Sequence, residues 1–366
     1  MNIKKNTHKH TIQKFAVLLA VFSLFLLLAG CALFEGRQSD ELDLAAMQSA
    51  EYAEINPAYY EAYTLEGYIY YSLPAASPRL VVIPENARPG EPVTIGFSYY
   101  FEDGRNFHAA LFDSRERRIA RAPFFHTSWR AGEQEVRAAV IAVPSTALIG
   151  AAFIRVESGD DIILDLPFTI NHRAFQSETI VLNQVNTTIR SAPDPQRTLE
   201  SQQIWAIFNT PGREILHLDA FERPVTATRR TSFFGSRRVF EYFDGTTSNV
   251  AIHAGVDYGV PTGTEVRASA TGRVVLARSR ILTGNSVVIE HLPGVFSIYY
   301  HLDSIAVSEG SLVRTGDFLG RSGATGLATG PHLHWEVRVA GENADPDAFL
   351  TRPILDKNYI IGRLSS

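Results

Sequence analysis

From Arg79 onward the chain is broken every few residues by glycine, proline, aspartate or serine, and this punctuation leaves room for little except short strands. LVVIPENARPGEPVTIGFSYY holds an apolar run, a Pro-Gly break and then the alternating Val93, Ile95 and Phe97. FHAALF, EVRAAVIAV, AAFIRV and DIILDLPFTI follow at similar spacing. This pattern predicts an antiparallel β-sandwich over residues 79–172, Ig-like in architecture only, since no cysteine pair supports a true immunoglobulin domain. From residue 230 to 366 the texture becomes glycine-punctuated, as in VDYGVPTGTEVRASATGRVV, NSVVIEHLPGVFSIYYHLDS and DFLGRSG. Tight Gly and Pro turns between such runs predict a second, compact antiparallel β domain. Between the two, over residues 173–229, one helical pattern is legible. Asp194 caps it, Pro195 takes the first helical position, Ile204, Ile207 and Phe208 give it an apolar face, and Pro211-Gly212 closes it. The expected fold class is mainly β, with a short connecting helix.

With 366 residues the chain can hold two domains of ordinary size, and 45% hydrophobic against 20% charged residues is a globular balance. A net charge of -5 provides no basic footprint, so nucleic acid is not an expected partner. The single cysteine, Cys31, excludes an intrachain disulfide. Lys4, Lys5, His8, Lys9 and His10 precede an apolar run from Phe15 to Leu28, too short for a membrane span but right for the core of a signal peptide. The run ends in Leu27-Leu28-Ala29-Gly30-Cys31, which resembles a bacterial lipobox. That resemblance implies that residues 1–30 are a lipoprotein signal peptide, removed to leave an acylated Cys31 that anchors the protein to a membrane outside the cytoplasm. Residue Ala32 is not the Asp that serves as an inner-membrane retention signal, which in a two-membrane cell favours the outer membrane facing the periplasm. Residues 31–78 are then the lipidated cysteine and a tether, acidic at first and tyrosine-rich later.

The polar residues of the C-terminal domain show a pattern of their own. In TGPHLHWEVR, residues two apart on a strand face the same way, so His332 and His334 project together while Leu333, Trp335 and Val337 face a core. His253 and Asp257 in HAGVDYG, and His301 in YYHLDS, are the other candidates. A metal site without cysteine must draw on His and Asp, and a catalytic one keeps a position open beside three protein ligands. Four residues of straight strand rise about 13 Å, too far for one ion to bridge. If both His253 and Asp257 are ligands, the backbone has to bend between them, and Gly255 is the expected place. Rival hydrolase chemistries fail on named features: there is no G-x-S-x-G elbow, no H-E-x-x-H, no P-loop lysine in GATGLATG, and the only thiol is committed to the lipobox.

HAGVDYG, YYHLDS and TGLATGPHLHWEVR, together with SFFGSRR, TEVRASATGRVV and GNSVVIEH, resemble the motifs of the lysostaphin-type (LytM-type) zinc peptidoglycan endopeptidases, in that family's order and spacing. The resemblance runs from about Thr231 to Phe349 and leaves the first 190 residues uncovered. It implies one zinc ion per chain held by His253, Asp257 and His334, and catalytic roles for His301 and His332 as base and oxyanion stabiliser, in an order the sequence leaves open. It also implies peptidoglycan stem peptides as substrate, cut during wall growth, remodelling or division. Some members of this family have lost their ligands and activate other wall hydrolases, but here all five residues are present. A third reading makes the sandwich a wall-binding module. His291, at a strand end, reads as structural; His108, His126, His172 and His217 are scattered; Arg237 and Arg238 read as a solvated basic pair. No protein regulator is legible.

Overall fold

The computed structural model describes residues 61–65, 68–72, 78–99 and 105–365, with backbone only for the first two stretches. The lipobox, Cys31 and the acidic part of the tether lie outside the described residues.

Two sheets form the N-terminal half. One has the order Glu61–Leu65, Tyr68–Ser72, Arg79–Ile83, Pro92–Tyr99, Gln134–Ala142, Phe125–Ala131, antiparallel throughout. The other is built on Asp161–Ile170, Gly150–Ser158, Phe107–Asp113 and Arg118–Pro123. Their facing sides share a core that includes Val93, Ile95 and Phe97 from the first sheet and Leu111, Ile154 and Phe168 from the second. The tyrosine-rich part of the expected tether is therefore sheet: Tyr70 and Tyr71 pair with Val81 and Leu80.

The first sheet is covered on its outer face as well. Val81, Val136, Ala138 and Val140 join the core of the C-terminal half, and a C-terminal helix, Lys357–Ser365, lies against them through Ile360 and Leu364. Burial on both faces is why EVRAAVIAV reads as a continuous apolar run rather than an alternating one. A Cβ on Gly96 would meet Ile360 at 2.6 Å, so the helix sits where only a glycine lets it.

The connector differs from its expected form. It opens with a strand, Ser177–Val181, that pairs in parallel with Arg237–Glu241. A short helix, Gln184–Ser191, follows, capped by Asn183; QVNTTIRS is rich in β-branched residues, and its apolar repeat is a single pair, Val185 and Ile189, so its helical signal is weak. The anticipated helix runs Pro195–Asn209, with Asp194 accepting from the Gln196 and Arg197 N–H groups. Its Ile204 and Phe208 pack on Leu276, Val288, Phe296 and Ile298 of the main C-terminal sheet.

That sheet carries, in order, Arg230–Ser232, Gly255–Tyr258, Leu333–Val339, Val295–Ile305, Gly284–Leu292, Gly272–Arg280 and Leu312–Val313. Three of these strands lie side by side at the centre of interest: Asp257 pairs with His334, and His334 pairs with Tyr300 on its other side.

Candidate metal centre

The cross-strand register sets Asp257 directly opposite His334, and His253 enters from the loop just before the Gly255–Tyr258 strand. The bend between His253 and Asp257 exists, but it falls at His253-Ala254, between the strands Ala251–Ile252 and Gly255–Tyr258, which belong to different sheets. Gly255 serves another end. A Cβ there would lie 2.2 Å from the Trp335 carbonyl oxygen, so the glycine permits the close strand approach that brings Asp257 and His334 together.

Three donor atoms form a triangle. His253 Nε2 is 3.1 Å from Asp257 Oδ1 and 3.0 Å from His334 Nδ1, and His334 Nδ1 is 2.9 Å from Asp257 Oδ1. Tetrahedral bonds of 2.0–2.1 Å separate neighbouring donors by about 3.3 Å, so this triangle is within a few tenths of an ångström of a metal face. All three residues are buried, and among the described residues they form the group able to hold an ion.

The atoms turned away from the triangle are also engaged. His253 Nδ1 donates to the Phe233 carbonyl at 2.9 Å, which leaves Nε2 with its lone pair for the triangle. His334 Nε2 lies 3.3 Å from Glu336 Oε2, and the Arg338 guanidinium donates to Glu336 Oε1 at 2.6 Å. Arg238 donates to Asp257 Oδ2 at 2.7 Å. Burial alone would raise Asp257, but the close His253 and His334 rings outweigh it and hold the carboxyl well below the usual range. Burial alone would lower His334; hydrogen bonds to Asp257 and Glu336 instead push it up to about 9. Burial dominates at His253 and pushes its ring down. Two ionised carboxylates around His334 make a place where positive charge is favoured, as a divalent cation requires.

The remaining two histidines lie beside the triangle, His301 buried and His332 partly exposed. Their rings are 4.8 Å apart, and His332 Nε2 is 3.9 Å from Asp257 Oδ1. His301 Nδ1 donates to the Thr325 carbonyl and His332 Nδ1 to the Gly330 carbonyl, each at 2.8 Å. A carbonyl can only accept, so both rings carry a proton on Nδ1, and Nε2 is the atom that bears the lone pair whenever the ring is neutral. His301 has φ 62°, an uncommon value for a residue with a side chain, and it turns this ring out of the regular course of its strand. Burial, and then repulsion from His332 and His334, pushes the His301 ring down to about 3.

His291 lies apart, fully buried between the Thr271 carbonyl at 2.9 Å and the Ser297 hydroxyl at 2.7 Å. Arg237 and Arg238 are not a solvated pair. Arg237 donates to the carbonyls of Gly235 and Ser145, while Arg238 spans Asp257 and Glu178. Glu336 is a site residue that the motifs do not mark, although its alternation with His332 and His334 along the strand carries a signal for it. Arg238 and Glu178 had no such signal, since only the tertiary pairing brings them to the site.

Two histidines and one carboxylate, brought together by adjacent interior strands of an antiparallel sheet and the loop before one of them, with two more histidines beside them, form a candidate metal centre with the donor set that metallohydrolases use. Residues 251–346 match the family model for Peptidase family M23. It is 40% identical over 123 residues to the DD-carboxypeptidase/endopeptidase Mpg of Neisseria meningitidis serogroup B, covering 34% of this chain and 27% of that protein. It is 43% identical over 124 residues to the peptidoglycan DD-endopeptidase ShyA of Vibrio cholerae serotype O1, covering 33% and 28% respectively. Among solved structures it is similar to the antimicrobial peptidase lysostaphin from Staphylococcus simulans, with 35% identity, coverage of 27% of this chain and 43% of that one, and a TM-score of 0.26. The match spans little more than a quarter of the length of these curated relatives.

Proposed function

We propose that this protein is a zinc-dependent endopeptidase that hydrolyses peptide cross-links of bacterial peptidoglycan, with residues 230–366 as its catalytic domain. The observation that carries this reading is the donor triangle of His253 Nε2, Asp257 Oδ1 and His334 Nδ1, with sides of 2.9–3.1 Å. The relatives named above as DD-endopeptidases point to bonds between D-amino acids as the target. Peptidoglycan lies outside the cytoplasm, and an acylated Cys31 would hold the enzyme at the membrane beside it, as the lipobox resemblance implies.

His253, Asp257 and His334 hold the ion. When bound, zinc supplies Lewis-acid activation of water and of the scissile carbonyl. The chain's own residues then do the rest. His332 Nε2 faces the centre with a free lone pair, and the ring is only partly buried, so it can take a proton from the attacking water and pass it on. His301 resists protonation because of its burial, so it serves better as a fixed neutral partner that orients water or substrate through Nε2. Thr325 and Gly330 fix the tautomers of both rings before substrate arrives.

The test pairs metal content with digestion of cross-linked muropeptides for the protein and for His334→Ala. The expected result is about one zinc per chain with cross-link cleavage, and neither in the variant. A native protein that binds no zinc when metal is plentiful overturns the reading and turns attention to non-catalytic activation of other hydrolases.

A further inference from the structure

The two metal-facing residues of HAGVDYG share one neighbour from far upstream. Glu178 lies on the Ser177–Val181 strand, in register with Arg238. Its Oε1 accepts from the Ser232 hydroxyl at 2.6 Å, and its Oε2 accepts from Arg238 Nε at 3.2 Å. Each of these partners goes on to touch a member of the triangle. Ser232 Oγ is 3.3 Å from His253 Nδ1, and Arg238 donates to Asp257 Oδ2 at 2.7 Å. Ser232, His253 and Asp257 are all buried.

We propose that Glu178 is a positioning residue of the metal centre, orienting His253 through Ser232 and Asp257 through Arg238. The proposal rests on the reading of His253, Asp257 and His334 as metal ligands. It makes the upstream strand a working part of a centre whose family match begins only at residue 251.

Two physical effects support it. The Ser232 hydroxyl has a single proton, and giving it to Glu178 turns an oxygen lone pair toward His253 Nδ1–H. That favours the tautomer with a free Nε2. If Glu178 were lost, the hydroxyl would be free to turn away, and the Phe233 carbonyl alone would be left to hold the Nδ1 proton and the direction of the ring. The second effect is charge. An unbalanced guanidinium beside Asp257 would compete with a cation for the carboxylate, and Glu178 offsets that guanidinium while fixing its direction.

The experiment measures zinc affinity by competition with a chromogenic chelator, and the cobalt absorption spectrum, in the full chain and in Glu178→Gln and Glu178→Ala. Loss of such outer partners weakens metal binding by about 10–100-fold, and Gln, which keeps an acceptor for Ser232 but not the charge, should fall toward the lower end. The cobalt band should shift in both variants, a change that a merely structural role would not produce. Circular dichroism sets the folded fraction, and the near-isosteric Gln variant carries the test if the Ala variant does not fold. Folded variants with unchanged affinity and spectrum overturn the proposal, as does a loss no larger than the loss of folded protein. If the unaltered chain binds neither metal, the ligand assignment itself has failed.

Discussion

Gly255→Ala is the substitution whose consequence can be worked most directly from geometry. The added Cβ would sit 2.2 Å from the Trp335 carbonyl oxygen and 2.9 Å from Glu336 Cα, and ordinary contact begins at 3.4 Å, so about 1.2 Å of separation is missing. Both obstacles are backbone, so no side-chain rotation relieves them. The strands Gly255–Tyr258 and Leu333–Val339 must part, and the next pair along the same face is Asp257 with His334. Overpacking of this kind costs about 1–3 kcal/mol of stability. A displacement of about 1 Å at reacting groups costs on the order of 100-fold in rate. The expected outcome is a loss of about 2 kcal/mol in urea unfolding, with zinc affinity and muropeptide cleavage both down by about 100-fold. Gly362→Ala is the matched control: Gly362 lies in the C-terminal helix with nothing within 4 Å, so alanine there should add about 0.5–1 kcal/mol. A Gly255→Ala protein with native zinc affinity would refute the argument that strand approach sets the triangle.

His332→Ala should lower the cleavage rate by about 10²–10⁴-fold with zinc content unchanged, and His301→Ala should do less to the pH profile than His332→Ala does; the reverse order in pH–rate measurements would exchange their roles. His291 should make stability depend on pH, because burial pushes its ring down to about 3. The folded chain refuses a proton that the unfolded chain takes up below about 6.5, so this contribution is complete at neutral pH and is lost on acidification. The slope approaches 1.4 kcal/mol per pH unit between about pH 6 and pH 3. His291→Gln should flatten that part of the curve, as read by denaturant unfolding at a series of pH values.

Strand periodicity and glycine punctuation were enough to read the β architecture, and the cap Asp194 with Pro195 marked the longer helix to within its first residue. Local chemistry was the signal in each case. The helix Gln184–Ser191 is hard to read because four of its eight residues are β-branched beside a single apolar i,i+4 pair, and its contact to the rest of the fold, Asn186 Nδ2 donating to the Ala328 carbonyl, leaves no local trace. The five histidine and aspartate candidates could be named because their motifs are short and local. What was not legible was how the chain bends to unite them. Gly255 was singled out as a hinge, and its real contribution is the absence of a side chain against a neighbouring strand. The expectation of a solvated pair at Arg237 and Arg238 fails for a related reason. A basic pair in a sequence carries no record of a carboxylate 60 residues upstream that meets it only through a parallel strand pair.

The pairing of each acid with its own arginine bears on how folding and metal binding are coupled. Burying ionised carboxylates is costly unless opposite charge and hydrogen bonds compensate. Asp257 has Arg238 on its outer oxygen, and Glu336 has Arg338, whose guanidinium in turn lies 5.2 Å over Trp205 and 5.0 Å over Phe208 of the connector helix. Both carboxylates are thus compensated from behind, by groups that a cation at the triangle would not touch. In domains where metal provides the compensation, removing it unfolds the chain. Here chelation should leave the far-ultraviolet circular dichroism unchanged and remove only the mass-action term, about 2.7 kcal/mol at free zinc 100-fold above the dissociation constant. Thermal unfolding with zinc and with chelator measures the difference, and His334→Ala should show no zinc-dependent shift. A protein that loses its β-sheet signal on chelation would refute the claim that the arginines, rather than the ion, make this buried site tolerable to the fold.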